Sequence, residues 1–555
     1  MNSIKKPLKA LLYIPVIMVA AFLGVATTTV EDGKYFEISK NIEIFTNLYK
    51  EINTFYVDDV DPSRLMRTGI DAMLESLDPY TNYISESEIE GFRMIVRGRY
   101  SGIGATIDRK KGEVFPFISE SYENFPAQKV GIKTGDVLLS IDGKTTKDKT
   151  TDDISNILRG APETNVALEL RRPNGENYKV NVTRQEVKVP NVPYYGMVNN
   201  DIGYLTLTTF TEQAGKNVAD ALKALKTEHP NMKGVIFDLR NNGGGLLNEA
   251  VNVSNVFVPK GEMIVNTRGK VKDRDQDFPT MNAPVDLNIP LIVLINSGSA
   301  SASEIVAGVI QDLDRGVLVG QKSYGKGLVQ NTRDVGFNSR VKLTIAKYYI
   351  PSGRCIQAVS YKDGMPIEIP DSLKAVFRTK NNRPVLDGGG IFPDVKVIDD
   401  TNEKLVKVLM KQNLIFDFAT NYVSTHSNII AAKEFSLSDT DYQSFVNSLS
   451  DKDYSYKTDS EKALNALIKK AKEENYYNAL QADITSMQQQ IQTDKANDLT
   501  KYKKSIKDLL EREVVSRYYY EKGRIEVGLK NDDEVKEAIN LINDPARYKE
   551  LLSGN

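Results

Sequence analysis

Apolar and polar positions along this 555-residue chain change their period several times, and each change marks a region. Ile38–Tyr56 places Ile42, Phe45, Leu48, Tyr49 and Ile52 on one helical face, and Leu65–Leu77 repeats the pattern. Asp78-Pro79-Tyr80 then ends it, because proline disfavours helix in the residue before it. From Gly98 the spacing becomes strand-like. A helix follows at Thr151–Leu158, then a strand at Asn165–Arg171 and a hairpin turn at Pro173-Asn174-Gly175. Ile202–Phe210, Gly234–Leu239, Leu291–Asn296 and Leu318–Gly320 read as strands, with a helix over Gln213–Lys226 and another opened by Arg240–Leu246 and reaching about Val256. This alternation predicts a mainly parallel sheet with crossover helices. Val341–Tyr349 and Val395–Val397 add strands. Beyond Thr401 the texture is helical and charged, with stripes at Leu405–Phe418, Glu461–Lys472 and Ile506–Tyr520 and a glutamine-rich stretch at Met487–Lys495. This reads as a bundle or arm for packing, oligomerisation or regulation.

Composition narrows the chemistry. A formal net charge of −2 gives no global basic field for nucleic acid. The single cysteine, Cys355, excludes an internal disulfide and a cysteine-based metal site. With only His229 and His426 present, a histidine-rich metal centre is excluded, and a Ser-His-Asp triad has two candidates for its base. No metal or organic cofactor is called for. Lys5, Lys6 and Lys9 precede Ala10–Val30, which carries no charge; this reads as an export signal or a membrane anchor, with the lysine end kept in the cytoplasm.

Three segments carry reactive groups. The apolar run Leu291–Asn296 leads into Ser297–Glu304, where Ser299, Ser301 and Ser303 alternate with alanine before a helix-compatible stretch. A serine at such a strand–turn–helix junction lies beside free N–H groups. Taken alone, it is ordinarily a helix cap, and residue chemistry does not choose among the three. Lys326 lies between Gly325 and Gly327, with Gln330 four residues on. A lysine amine serves as a base near neutrality only when desolvation lowers its pKa from about 10.4. Gly243, Gly244 and Gly245 end a strand in a loop suited to phosphate or to an oxyanion, without the P-loop or dinucleotide signatures.

The stretch 98–186, with Ala127, Gly131-Ile132, Gly135-Asp136 and Ile141-Asp142-Gly143, resembles a PDZ domain. That resemblance implies a groove in which a chain end adds as a strand, its carboxylate held by the loop Ser101, Gly102, Ile103 and Gly104. DLRNNGGG (Asp238–Gly245), SASASE (Ser299–Glu304), GKGLVQ (Gly325–Gln330), AKYYIPSGR (Ala346–Arg354) and GGGIFPDV (Gly388–Val395) together resemble the carboxyl-terminal processing peptidases, or tail-specific proteases, over residues 35–400. The resemblance implies a multidomain α/β protein. Its parts are an anchor (1–30), a helical N-terminal region (31–97), an inserted PDZ domain (98–186), a mixed-sheet serine protease core (187–400) and a helical C-terminal region (401–555).

Carried residue by residue, the resemblance makes Ser301 the nucleophile, Lys326 the general base and Gln330 its orienting partner. The backbone N–H groups of Ala302 and of Gly244 or Gly245 form the oxyanion hole, and Arg159 couples peptide binding to the protease core. The function implied is a serine endopeptidase acting on proteins with exposed C-terminal tails, without cofactor or nucleic acid. It would reside in the bacterial cell envelope, periplasmic and held to the cytoplasmic membrane by residues 10–30. An adaptor or activator protein and homo-oligomerisation through the C-terminal region are compatible with it. The rival readings are a non-catalytic PDZ scaffold that binds protein C-termini and a hydrolase using His229 as base.

Overall fold

The computed structural model describes residues 14–362, 365–368, 370–397 and 403–554, with the backbone alone for 14–33. The expected anchor at 10–30 thus falls partly outside the described residues. Among residues described in full, no helix is long and apolar enough to cross a membrane. Contacts divide the chain into two compact units, one ending at Tyr83 and one starting at Ile84. In the first, helices α1 (Ile14–Phe55) and α2 (Pro62–Glu75) follow the apolar stripes. Asp61 caps α2 by accepting from the N–H groups of Ser63 and Arg64 at 2.8 and 3.1 Å, and Pro62 supplies the first turn.

The second unit opens with α3 (Ile89–Arg97) and strand β1 (Arg99–Gly102). An antiparallel sheet then runs β2 (Ala105–Asp108), β3 (Phe117–Ser121), β4 (Val137–Ile141), β5 (Asn165–Arg171) and β6 (Asn177–Thr183), with helix α4 (Thr151–Leu158) between β4 and β5 in sequence. Strand β7 (Gln185–Lys188) returns to pair with β1 and closes the module. The Asp136 that marks this region in sequence is structural. Its buried carboxylate meets Arg172 at 2.5 Å, the Tyr178 hydroxyl at 2.7 Å and the Lys133 N–H at 2.7 Å.

The next sheet has the order β8 (Tyr194–Met197), β9 (Ile202–Thr206), β10 (Gly234–Asp238), β13 (Leu291–Ile295), β14 (Val317–Gly320), β17 (Val395–Lys396). It is parallel throughout except for β8 at one edge. Every residue of β9, β10 and β13 is buried, so their apolar residues run consecutively rather than in alternation. Their even and odd positions face different cores. Val235, Phe237, Val293 and Ile295 pack with helices α5 (Ala214–Glu228), α6 (Leu247–Ser254) and α7 (Ala302–Asp312). Ile236, Ile292 and Leu294 pack with Val535, Ala538, Leu541 and Ile542 of a helix near the C-terminus.

A second, antiparallel sheet stands beside the first. In it β11 (Met263–Gly269) pairs with β12 (Gln276–Pro279) and with β16 (Ser339–Tyr349), and β16 forms a hairpin with β15 (Leu328–Gly336). Of these, the periodicity reading found only β16. The others are short or carry exposed polar positions, as β15 does, and they give no clean period in sequence.

The helical C-terminal region has its own core, in which α8 (Leu414–Thr425) packs on α9 (Lys503–Leu529). The apolar stripe over Leu405–Phe418 falls on two helices, because Asn413 adopts a left-handed conformation (φ 58°) between them. This region also touches the module of β1–β7. The Phe416 ring packs tilted against Phe117 with centroids 4.8 Å apart, Arg524 meets Glu120 at 3.2 Å, and Gln128 donates to the Tyr520 hydroxyl at 3.0 Å. Helices α10 (Asp533–Asn543) and α11 (Pro545–Leu552) then cover the open face of the parallel sheet. Their docking is anchored by Arg240, which follows β10 and meets Asp238 (2.6 Å), Asp532 (2.8 Å) and Glu534 (2.5 Å). Arg240→Ala is expected to leave three largely buried carboxylates without their cation and to cost about 3–5 kcal/mol. Chemical denaturation would register this as an earlier midpoint, and an unchanged midpoint would refute it.

Candidate active site

The parallel strands β10 and β13 deliver the glycine loop and the serine turn to the same edge of the sheet, at their carboxyl ends, where ligands bind in open α/β sheets. The turn after β13 contains Ser301 at φ 56°, ψ −112°, a strained backbone for a residue with a side chain. This sharp entry into α7 resembles in its physics the nucleophile elbow of α/β-hydrolases, where a strained turn presents one hydroxyl at the start of a helix.

The three serines separate cleanly. Ser299 and Ser303 are fully buried. Ser299 donates to the Leu239 carbonyl at 2.8 Å, and Ser303 donates to the Asn242 carbonyl at 2.8 Å. Both hydroxyls tie the turn to the strand and loop after β10. Ser301 is only half-buried.

The glycine loop packs directly on this turn. Gly244, at φ 98°, lies so close that an added Cβ would stand 2.7 Å from the Ala300 carbonyl oxygen and 2.9 Å from both the Ala302 nitrogen and the Ser301 Cβ. The Gly244 N–H itself donates to Asn242 Oδ1 at 2.9 Å. Among the described residues, the N–H groups of Gly245 and Ala302 have no acceptor. Asn242, fully buried, knits loop and turn together, as its carbonyl also accepts from the Ala300 N–H at 3.0 Å. Gly244→Ala is expected to push the loop off the turn and lower kcat by about 10²-fold, the usual cost of one lost oxyanion donor. A variant that turns over at the wild-type rate would show that the close approach is dispensable.

Lys326 lies half-buried in the loop between β14 and β15, and Gln330 follows in β15. Gln330 donates its amide to Thr344 Oγ1 at 3.1 Å and lines a cleft of about 1030 Å³ walled by Leu246, Phe278, Val329, Ile345 and Ala346. Two residues that sequence reading did not assign to the site bind this loop to the serine turn. Glu304, fully buried, accepts from the Ser301 N–H at 2.8 Å and the Lys326 N–H at 2.9 Å through one oxygen. Its other oxygen accepts from the Ser323 hydroxyl at 2.5 Å and the Gly325 N–H at 2.6 Å. Burial pushes its carboxyl up to about 7 against the pull of these donors. The buried Tyr348 donates its hydroxyl toward the carbonyls of Ser301 and Lys326. An acidic residue inside an otherwise apolar helix was the available signal for Glu304.

In the module of β1–β7, Ser101 and Gly102 end β1, Ile103 is buried and Gly104 turns at φ 75° into β2. The Tyr100 phenol sits beside this loop; burial pushes it up to about 12, opposed by Arg159 and by the N–H groups of Ala105 and Gly104. Arg159 donates to Asn156 Oδ1 at 3.2 Å and to Met94 Sδ at 3.7 Å, with its guanidinium 5.8 Å from the Tyr100 ring centre. It therefore lies between α4 and α3, against the loop. His229 is exposed at the carboxyl end of α5, leading into the opposite edge of the sheet, and His426 stacks on Tyr422 at 4.0 Å in the helical region.

Fold and site define a serine-type peptidase that carries a PDZ domain. Residues 201–365 match peptidase family S41, 117–172 match a PDZ domain, and 405–542 match the C-terminal helical domain of probable PDZ-proteases. The chain is 33% identical over 365 residues to a carboxy-terminal-processing protease of Bartonella bacilliformis, covering 65% of this chain and 83% of that one. It is 31% identical over 404 residues to the carboxy-terminal processing protease CtpA of Bacillus subtilis, covering 72% and 82%. Among solved structures, the photosystem II D1 C-terminal processing protease matches 64% of this chain and 92% of its own at 25% identity, with a TM-score of 0.36. The protein belongs to the carboxy-terminal processing proteases of family S41.

Proposed function

We propose that the protein is a Ser/Lys endopeptidase that cleaves exported proteins near their C-termini, after its PDZ domain has taken hold of the tail. The observation that carries this reading is the serine turn. Of three neighbouring hydroxyls, Ser301 alone is not buried in a bond to a backbone carbonyl, and it lies on a strained turn beside two N–H groups that have no acceptor among the described residues. Ser301 Oγ attacks the scissile carbonyl carbon while the neutral Lys326 amine accepts its proton. The oxyanion forms against the N–H groups of Ala302 and Gly245; Gly244, with its N–H engaged by Asn242, shapes the hole rather than donating to it. The C–N bond breaks as Lys326 returns the proton to the leaving amine, and water then hydrolyses the ester with the same base. Gln330 orients the amine from β15. The cleft beside Gln330 offers apolar walls to the chain being cut.

Ser101–Gly104 hold the tail carboxylate, with Arg159 relaying occupancy of the groove through Tyr100. Residues 10–30 export the chain and anchor it in the envelope of a bacterial cell. The test is a protein substrate offered with a free or an amidated C-terminus. Amidation is expected to raise KM at least about 10-fold, since it removes the charge from a charge-assisted contact. Equal KM for both forms would refute tail capture by carboxylate.

A further inference from the structure

Glu304 and Tyr348 grip the same two residues from two sides, and we propose that they form a clamp that sets the distance between Ser301 and Lys326 during catalysis. The inference rests on the Ser/Lys reading above. One oxygen of Glu304 accepts from the backbone N–H groups of both residues, which holds the two nitrogens within about 6 Å of each other. The Tyr348 hydroxyl faces the carbonyls of the same two residues. Nucleophile and base sit on segments separated by a helix and a strand, α7 and β14, so their alignment is set by contacts across that gap rather than by local chain geometry.

A glutamate in the first turn of a helix commonly bonds back to the N-cap N–H. That accounts for one of the four donors on Glu304. The other three come from the lysine loop: Ser323, Gly325 and Lys326. Ser323 Oγ in turn accepts from the Ile391 N–H at 2.6 Å, which aims its proton at Glu304 and joins the GGGIFPDV segment to the clamp. A solvent-facing cap would need none of this, and a fully buried carboxylate is costly unless its donors are complete. All four neighbours present hydrogen to the carboxylate, so the arrangement suits the ionised form. Protonation would put a fifth hydrogen among four donors and loosen the grip. On the segments bound to this carboxylate the titratable residues are Lys326 on the loop and Tyr348 on β16; its chain neighbours on α7, Ser303 and Ile305, are uncharged.

The experiment compares Glu304→Gln and Tyr348→Phe with wild type in kcat, KM, melting temperature and pH profile on a tail-bearing substrate. Glu304→Gln is expected to lower kcat by about 10²-fold with KM within about two-fold, as a misplacement near 1 Å does. Tyr348→Phe, which deletes one oxygen, is expected to cost about 10-fold in kcat. Two groups must be deprotonated in the wild type, Glu304 and Lys326. Its log kcat/KM is therefore expected to steepen toward two per pH unit on the acid side, until the form with Glu304 protonated, about 10²-fold slower, takes over, and that of Glu304→Gln to fall by about one throughout. Wild-type kcat and an unchanged slope in a folded Glu304→Gln would overturn the clamp. Should that variant not fold, a wild-type kcat in Tyr348→Phe would do so. Ser301→Ala and Lys326→Ala run alongside: cleavage surviving in either refutes the Ser/Lys reading itself, whereas inactive dyad variants beside fully active clamp variants refute the clamp alone.

Discussion

Ser301→Ala is expected to abolish cleavage of a tail-bearing protein, lowering kcat/KM by about 10⁴-fold or more while the fold and tail binding persist. The size follows from the role: without an attacking oxygen no acyl-enzyme forms, and the remaining N–H groups stabilise an oxyanion that never develops. The comparison that gives the result its meaning is with the two neighbours. Ser299→Ala and Ser303→Ala each remove one of two donors, from the carbonyls of Leu239 and Asn242, which keep the N–H groups of Asn242 and Ala300, and are expected to lose about 0.5–1.5 kcal/mol of stability. Below their melting temperatures they should still cleave and still react with a fluorophosphonate at Ser301. Peptide mapping of the labelled protein decides it. Label on Ser299 or Ser303, or turnover by Ser301→Ala, would refute the assignment.

Lys326→Ala comes second, with an expected loss of about 10³-fold in kcat, within the range of a removed general base. Lys326→Arg should be no better, because a guanidinium stays protonated and cannot accept the serine proton. The alternative base fails on position. His229 is exposed where α5 ends, before β10 begins, while the serine turn and glycine loop lie past the far ends of β13 and β10. A five-residue strand spans about 17 Å. His229→Ala is therefore expected to keep kcat within about two-fold. Loss of activity in His229→Ala with retention in Lys326→Ala would reverse the assignment.

Much of the core was readable because its strands are buried on both faces. Leu291–Ile295 and Val235–Phe237 appear in sequence as unbroken apolar runs, and the helices between them keep their period. The antiparallel sheet was less readable: β15 has one buried residue in nine, so packing imposes little pattern on it. The Leu405–Phe418 stripe passed through Asn413 without a break, because the apolar spacing continues on both sides of a turn that only a left-handed residue reveals. Glu304 was visible as an acid at a helix start, and its ordinary explanation as a cap is true as far as it goes.

The sequence by itself determined the membership in its family and the parts list: five motifs in order, a peptide-binding module before them, a serine turn, a lysine loop and too few histidines for the usual triad. These are local features, carried by neighbouring residues whose chemistry and spacing do not depend on the rest of the chain. The tertiary structure alone decided which serine hydroxyl is left over, which glycine N–H is already used, and that α10 and α11, more than 200 residues after Ser301, cover the second face of its sheet. Each of these depends on which hydrogen-bond partner or apolar surface arrives from a distant segment. A residue's own neighbours in sequence carry no record of that arrival.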